Sequence, residues 1–148
     1  LTNNIREETP VYSISSAAEL LGISVHTLRM YERESLFIPF KRDTNHRRYS
    51  KTDIEKIECI RGAINKEKIS IAGIKRIYSL IPCWDVVKCS DNDRTNCKAF
   101  NGHSKPCWSF DHKGNQCEGV DCRSCSVYLE FSSCSGIKEL IKKLSLNH

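Results

Sequence analysis

Seven cysteines stand at positions 83, 89, 97, 107, 117, 122 and 125, and Cys134 follows them. Thiolates bind soft metals, pair as disulfides or react with oxidants. In an exported chain such density reads as a disulfide framework, and in a reducing compartment it reads as a metal site. Structural zinc is usually held by two close pairs of ligands. Here only Cys122 and Cys125 have that CxxC spacing, the other gaps being 5, 7, 9, 9 and 4 intervening residues. Irregular spacing, with Trp84 and Trp108 each directly after a cysteine, suits an iron-sulfur cluster, which takes thiolates from a wrapping loop under an apolar cover. A 4Fe–4S cluster on Cys83, Cys89, Cys97, Cys107, Cys117, Cys122 and Cys125 is therefore the first expectation, with Cys134 as a further candidate ligand. Zinc is the second, and disulfides or free thiols the third. Four ligands suffice for one cluster, so spare cysteines are expected. His103 and His112 could ligate zinc but read as exposed loop side chains. Cys59, among apolar neighbours, reads as a buried small hydrophobe.

The segment carrying these cysteines, residues 82–134, has little periodicity and many Asp, Asn, Ser and Gly. It cannot fold on apolar burial alone, so a bound metal is expected to staple it. Pro-Cys-Trp occurs at 82–84 and again at 106–108, an internal echo in which each half runs Cys-Trp, then Cys, then Cys. The two tryptophans read as packing groups. In the tail, residues 135–148, Ser135 is placed as an N-cap and Ile137, Leu140, Ile141 and Leu144 form a helical stripe, either a lid on the module or a dimer contact.

Residues 12–81 read differently. "SISSAAELLG" puts Ala17, Ala18 and Leu21 on one helical face and stops at Gly22; "ISVHTLRMYERESL" offers Ser24 as N-cap before a second helix. Two short helices across a tight turn make a helix-turn-helix. "FIPFKRDTNHRRYS", with Pro39, Asp43 and Asn45, suits a hairpin wing. Ser50 and Asp53 then form a capping box opening a helix with Ile54, Ile57 and Ile60 along one side, and "SIAGIKRIYSLI" gives another helix that Pro82 ends. Leu20, Leu21, Val25, Leu28, Ile57 and Ile74 are expected in the core, with Arg33, Lys56 and Lys68 as solvated charge. Residues 1–11 read as a flexible arm.

Charge follows the same division. Residues 1–82 carry 14 basic and 10 acidic groups, residues 83–134 carry 6 and 7, and Ser24 to Lys51 alone carry 7 and 3. An anionic partner is expected on the first half. A recognition helix enters the major groove by its first turns, which places Ser24, Val25, His26 and Thr27 near base edges. Arg29, Tyr31 and Arg47 suit phosphates, with Arg48 and Tyr49 beside them on the wing. No stretch approaches the roughly 18 apolar residues of a membrane span, and Leu-Thr-Asn-Asn-Ile lacks a secretion signal's pattern, so a cytoplasmic setting is expected. No Ser/His/Asp set, phosphate-cradling glycine loop or paired carboxylate site stands out, and an enzyme is not expected.

"SVHTLRMYE" with the later "RRYSKTD" and "ISIAGIKRIYSLI" resembles the DNA-binding domain of the MerR family of transcription regulators over about residues 12–81. The resemblance implies a winged helix-turn-helix that binds double-stranded promoter DNA as a homodimer and distorts it for RNA polymerase. His26 stands where an Arg is frequent in the family, Arg29, Tyr31 and Arg47 match, and Met30 and Asn45-His46 depart from its pattern. The cysteine segment resembles the two-CW module of bacterial sensory proteins, a likeness that does not name a ligand. The whole is expected to be mainly α, a winged helix-turn-helix followed by a loop-rich, metal-stapled module and a short C-terminal helix. One iron-sulfur redox sensor within the MerR family favours a redox, oxygen or metal-supply signal by analogy; purely structural zinc and an electron-transfer module are the alternatives.

Overall fold

The computed structural model describes residues 9–41, 46–129 and 136–146. The chain divides into two compact units, one ending at Lys68 and the other beginning at Ile69.

The first unit opens with β1 (Tyr12–Ser13) and α1 (Ile14–Leu21). The Ser13 hydroxyl caps α1 by accepting from the Ser16 amide, and Gly22 ends it in the left-handed conformation at φ 67°. A short turn leads into α2 (Val25–Arg33), capped by Ser24. β2 (Phe40–Lys41) and β3 (Arg47–Tyr49) follow, and the antiparallel sheet has the order β1-β3-β2, pairing Tyr12 with Tyr49 and Phe40 with Arg48. The wing tip, including Asp43 and Asn45, lies outside the described residues. α3 (Lys51–Asn65) starts on the expected capping box: the Asp53 amide donates to the Ser50 hydroxyl, and the Ser50 amide donates to the Asp53 carboxylate.

The core of this unit gathers Ala17, Ala18, Leu21, Leu28, Tyr31, Leu36, Phe37, Tyr49, Ile54, Ile57 and Ile60. Leu20, expected there, is instead 55% exposed. It follows Glu19 on the outer side of α1, while Ala17, Ala18 and Leu21 take the inner face. Lys56, expected in solvent, is buried. Arg61 of α3 donates to the Leu21 carbonyl at 2.7 Å, answering one of the acceptors left free at the end of α1.

The second unit begins with α4 (Ile71–Ser79), capped by Ser70. Short helices follow: α5 (Cys83–Val86), α6 (Asp91–Thr95), α7 (Lys98–Asn101) and α8 (Ser126–Leu129), with 3-10 turns at Cys107–Ser109 and Cys122–Ser124. α9 (Gly136–Leu146) closes the described chain. Its Ile137 and Leu144 pack with Tyr78, Val86 and Trp108 around buried Ile81 and Val127, so the tail helix covers the module. Ser135 lies outside the described residues, and Ile141 is exposed. Among the described residues no helix is long and apolar enough to cross a membrane.

Candidate nucleic-acid interface and candidate metal centre

In the first unit, α2 presents its N-terminal turn outward. His26 and Arg29 are exposed, while Val25 and Thr27 are half-buried. The Ser24 hydroxyl accepts from the Thr27 amide at 3.0 Å and lies 2.9 Å from the Thr27 hydroxyl, so both side chains hold the helix start. That leaves His26 and Arg29 as the free, long side chains of this turn. Arg29 also lines a groove of about 340 Å³ with Ser13, Ile14, His46, Arg47 and Arg48. One cation from α2 and two from β3 therefore converge where a phosphate could sit.

Three of the expected DNA contacts have other surroundings. Tyr31, expected at a phosphate, is only 5% exposed, and Tyr49, expected among the DNA-binding residues, is fully buried, so both rings are core groups. Each sits on the inner side of its element, and burial is stronger evidence about an aromatic than a basic neighbourhood is. Burial, reinforced by the Glu32 carboxylate, pushes the Tyr49 hydroxyl up to about 12. Arg47 is half-buried and its Nε donates to the Glu32 carboxylate at 2.6 Å, with Lys41 a further 3.8 Å partner of the same carboxylate. Arg47 is thus first a strut between β3 and α2, and it also lines the groove. His46, noted in the sequence only as a departure from the family's wing pattern, and Ser13 also line the groove, neither of them among the expected DNA contacts.

In the second unit, all seven cysteines from Cys83 to Cys125 are unpaired and half-buried. All seven line one cavity of about 40 Å³, together with Trp84, Phe100, Trp108, Val127, Tyr128, His112 and Arg94. That is room for roughly three water molecules, more than a single ion needs. The cysteines at the two Pro-Cys-Trp motifs touch: the Cys107 thiol donates to Cys83, which lowers the Cys83 thiol and sends that of Cys107 far up. Burial raises Cys117 to about 11 and lifts Cys89 and Cys122 as well. Such thiols keep their protons at neutral pH unless a cation displaces them.

Among the described residues, no three His, Cys, Asp or Glu side chains form a group that could hold a metal ion. The seven cysteines line a common cavity without forming such a group. Soft sulfur donors and apolar walls fit a thiolate-bound centre larger than one ion. His112 sits half-buried with its Nε2 2.8 Å from the Cys107 carbonyl, whereas His103 is exposed. Cys59 is half-buried on α3, short of the full burial expected for a small core hydrophobe. Cys134 lies outside the described residues.

With this geometry in view, residues 12–80 match the family described as MerR HTH family regulatory protein. Residues 12–80 are a MerR-family helix-turn-helix domain. The MerR domain's relatives include a putative heat shock protein, HspR, of Streptomyces coelicolor, 45% identical over 76 residues, which are 51% of this chain and 50% of that protein. Another is the uncharacterised HTH-type transcriptional regulator YyaN of Bacillus subtilis, 52% identical over 46 residues, 30% of this chain and 33% of that one. The chain thus spans half or less of the curated relatives it matches. The MerR match extends through α4, which packs in the second unit.

Proposed function

We propose that the chain is a cytoplasmic, DNA-binding transcription regulator whose cysteine module holds an iron-sulfur cluster, of 4Fe–4S type, and reports redox state, oxygen or metal supply. The observation that carries the metal half is the convergence of seven unpaired cysteines on one apolar cavity wider than a single ion. The DNA-binding half rests on the MerR domain and its groove of Arg29, Arg47 and Arg48.

The MerR domain acts on double-stranded promoter DNA as a homodimer, since a palindrome needs two copies of a reading helix. Arg29 and the wing arginines hold phosphates and set the register, and His26 reaches a base edge. When bound, the cluster supplies a centre whose charge changes on oxidation. Trp84, Phe100 and Trp108 exclude water from it, and the cysteines fix its position. α4 links the two functions: it lies within the MerR match, and its Tyr78 packs on Trp108, next to the cavity-lining Cys107. A change at the cavity therefore biases α4 between two arrangements, with distortion of the promoter for RNA polymerase as the output.

The test is anaerobic purification followed by iron, zinc and acid-labile sulfide analysis, a visible spectrum, and binding to a duplex selected from a random pool before and after oxidation. About four irons and four sulfides per chain, with affinity that changes on oxidation, are expected. Zinc alone, with affinity indifferent to oxidant, would replace this reading with a structural zinc staple.

A further inference from the structure

The wall of the cysteine cavity holds two side chains that can bear a positive charge, Arg94 and His112, and among the described residues no Asp or Glu lines it. His112 is committed through both ring nitrogens: Nε2 lies 2.8 Å from the Cys107 carbonyl and Nδ1 lies 3.4 Å from the Asn115 side-chain amide. Arg94 differs. Its Nε is buried and has no hydrogen-bond partner among the described residues. A buried guanidinium N–H without an acceptor costs free energy, and such a group calls for a functional account.

Local structure fixes this side chain beside the thiols. α6 starts on Ser90, whose hydroxyl accepts from the Asp93 amide at 3.1 Å and lies 2.8 Å from the Asp93 carboxylate. The Arg94 amide donates to the Ser90 carbonyl at 3.0 Å, and the Arg94 carbonyl accepts from the amide of Cys97, itself a cavity residue, at 3.2 Å. At its outer end, Nη1 of Arg94 meets the Asp91 carboxylate at 3.7 Å, but Asp91 is fully exposed. Water screens that pair, so it does little to neutralise the guanidinium. The charge is left to act on the cavity.

A thiolate-bound centre is anionic by its ligands, and an iron-sulfur cluster gains one more negative charge when it takes up an electron. A cation at an apolar wall favours the more negative form more strongly, and net charge and hydrogen bonds to the sulfurs are what set a cluster's potential.

We infer that Arg94 is the counter-charge of the centre, holding its reduction potential up by stabilising the reduced form. Arg94 is a positioning residue and not a ligand: no bond of its own forms or breaks when the electron arrives. This role rests on the proposed iron-sulfur centre and adds what sets the potential at which that centre reports.

The test uses the full chain purified without oxygen, as wild type, Arg94→Gln and Arg94→Lys. Iron and sulfide per chain are measured first, and the midpoint potential is then read from the visible spectrum during titration with dithionite, which supplies the electron. Arg94→Gln is expected to keep the wild-type metal content and to shift the equilibrium towards the oxidised form by roughly tenfold, lowering the midpoint by about 59 mV for a one-electron couple. Arg94→Lys, which keeps the charge, should restore most of that shift. Loss of the centre in Arg94→Gln with retention in Arg94→Lys would support the same role at the binding step. An unchanged or raised potential in Arg94→Gln, an equal shift in Arg94→Lys, or loss of the centre in both variants would overturn it. Wild-type protein without iron and sulfide overturns the proposed centre and this role together, an outcome distinct from loaded protein whose potential ignores Arg94.

Discussion

At the scale of single residues, the groups that look alike in sequence divide by burial. Tyr49 ends a basic run, yet its ring is fully buried and its hydroxyl has no hydrogen-bond partner among the described residues. Tyr49→Phe removes an unsatisfied buried hydroxyl and is expected to raise stability by about 1 kcal/mol in urea titrations while leaving DNA affinity unchanged. A drop in affinity would return Tyr49 to the interface. The same residue sets a pH dependence. Its folded pKa, near 12, lies above the ordinary 10, so the unfolded chain releases the proton first. Stability from this source is complete below pH 10 and is lost as pH rises towards 12, by about 1.4 kcal/mol per unit at the steepest. Tyr78, also raised to about 12 by burial, adds a similar loss, so Tyr49→Phe should lessen the alkaline slope and not abolish it. On the DNA face, Arg29→Ala is expected to weaken binding to every duplex alike and to reduce the log-log salt slope by about one. His26→Ala should instead change the ratio of affinities between duplexes; equal effects on all of them would remove His26 from a reading role.

At the scale of elements, caps and turns carry the local order. The Ser50–Asp53 box joins two buried residues at the start of α3. Ser50→Ala is expected to lower stability by about 1 kcal/mol, measured by denaturant midpoint at constant slope. In the module, a methyl group on Gly102 would lie 2.8 Å from the Lys98 carbonyl and 2.9 Å from the Phe110 ring. Gly102→Ala should therefore shift α7 and weaken the module by about 1–3 kcal/mol, seen as altered Trp84 emission. These elements were unequally legible. α1, α2 and α3 announced themselves through the Gly22 stop, the Ser24 cap, the Ser50–Asp53 box and the isoleucines of α3, because periodicity and capping act over a few residues. The short helices α5 to α8 gave no such signal, since four or five residues are too few for a period and their positions depend on the cavity they surround. Burial of Tyr31 and Tyr49 was likewise a matter of tertiary packing, which a basic neighbourhood disguised. The seven cysteines were legible in sequence, but their convergence on one cavity was not, since it depends on how the short helices and turns pack.

At the scale of the whole molecule, the two units differ in what holds them. The first has a continuous apolar core of buried residues from α1, α2, β3 and α3, enough for a small winged helix-turn-helix to stand on packing. The second centres on Ile81 and Val127, with half-buried side chains around them and raised thiols facing a cavity. Its folding free energy should therefore come in large part from metal binding. The chain supplies its own reporter, because both of its tryptophans, Trp84 and Trp108, line that cavity. Stripping the metal with a chelator under reducing conditions is expected to red-shift tryptophan emission and to abolish the edge-on aromatic contacts. Much of the helical circular dichroism, contributed by α1, α2 and α3, should persist. Thermal unfolding of the stripped protein should then show the first unit melting alone, whereas the loaded protein loses tryptophan burial only at higher temperature. Unchanged emission and an unchanged melt after verified metal removal would mean that the module folds on its aromatic and aliphatic contacts, and that the thiols are held by the fold instead of holding it.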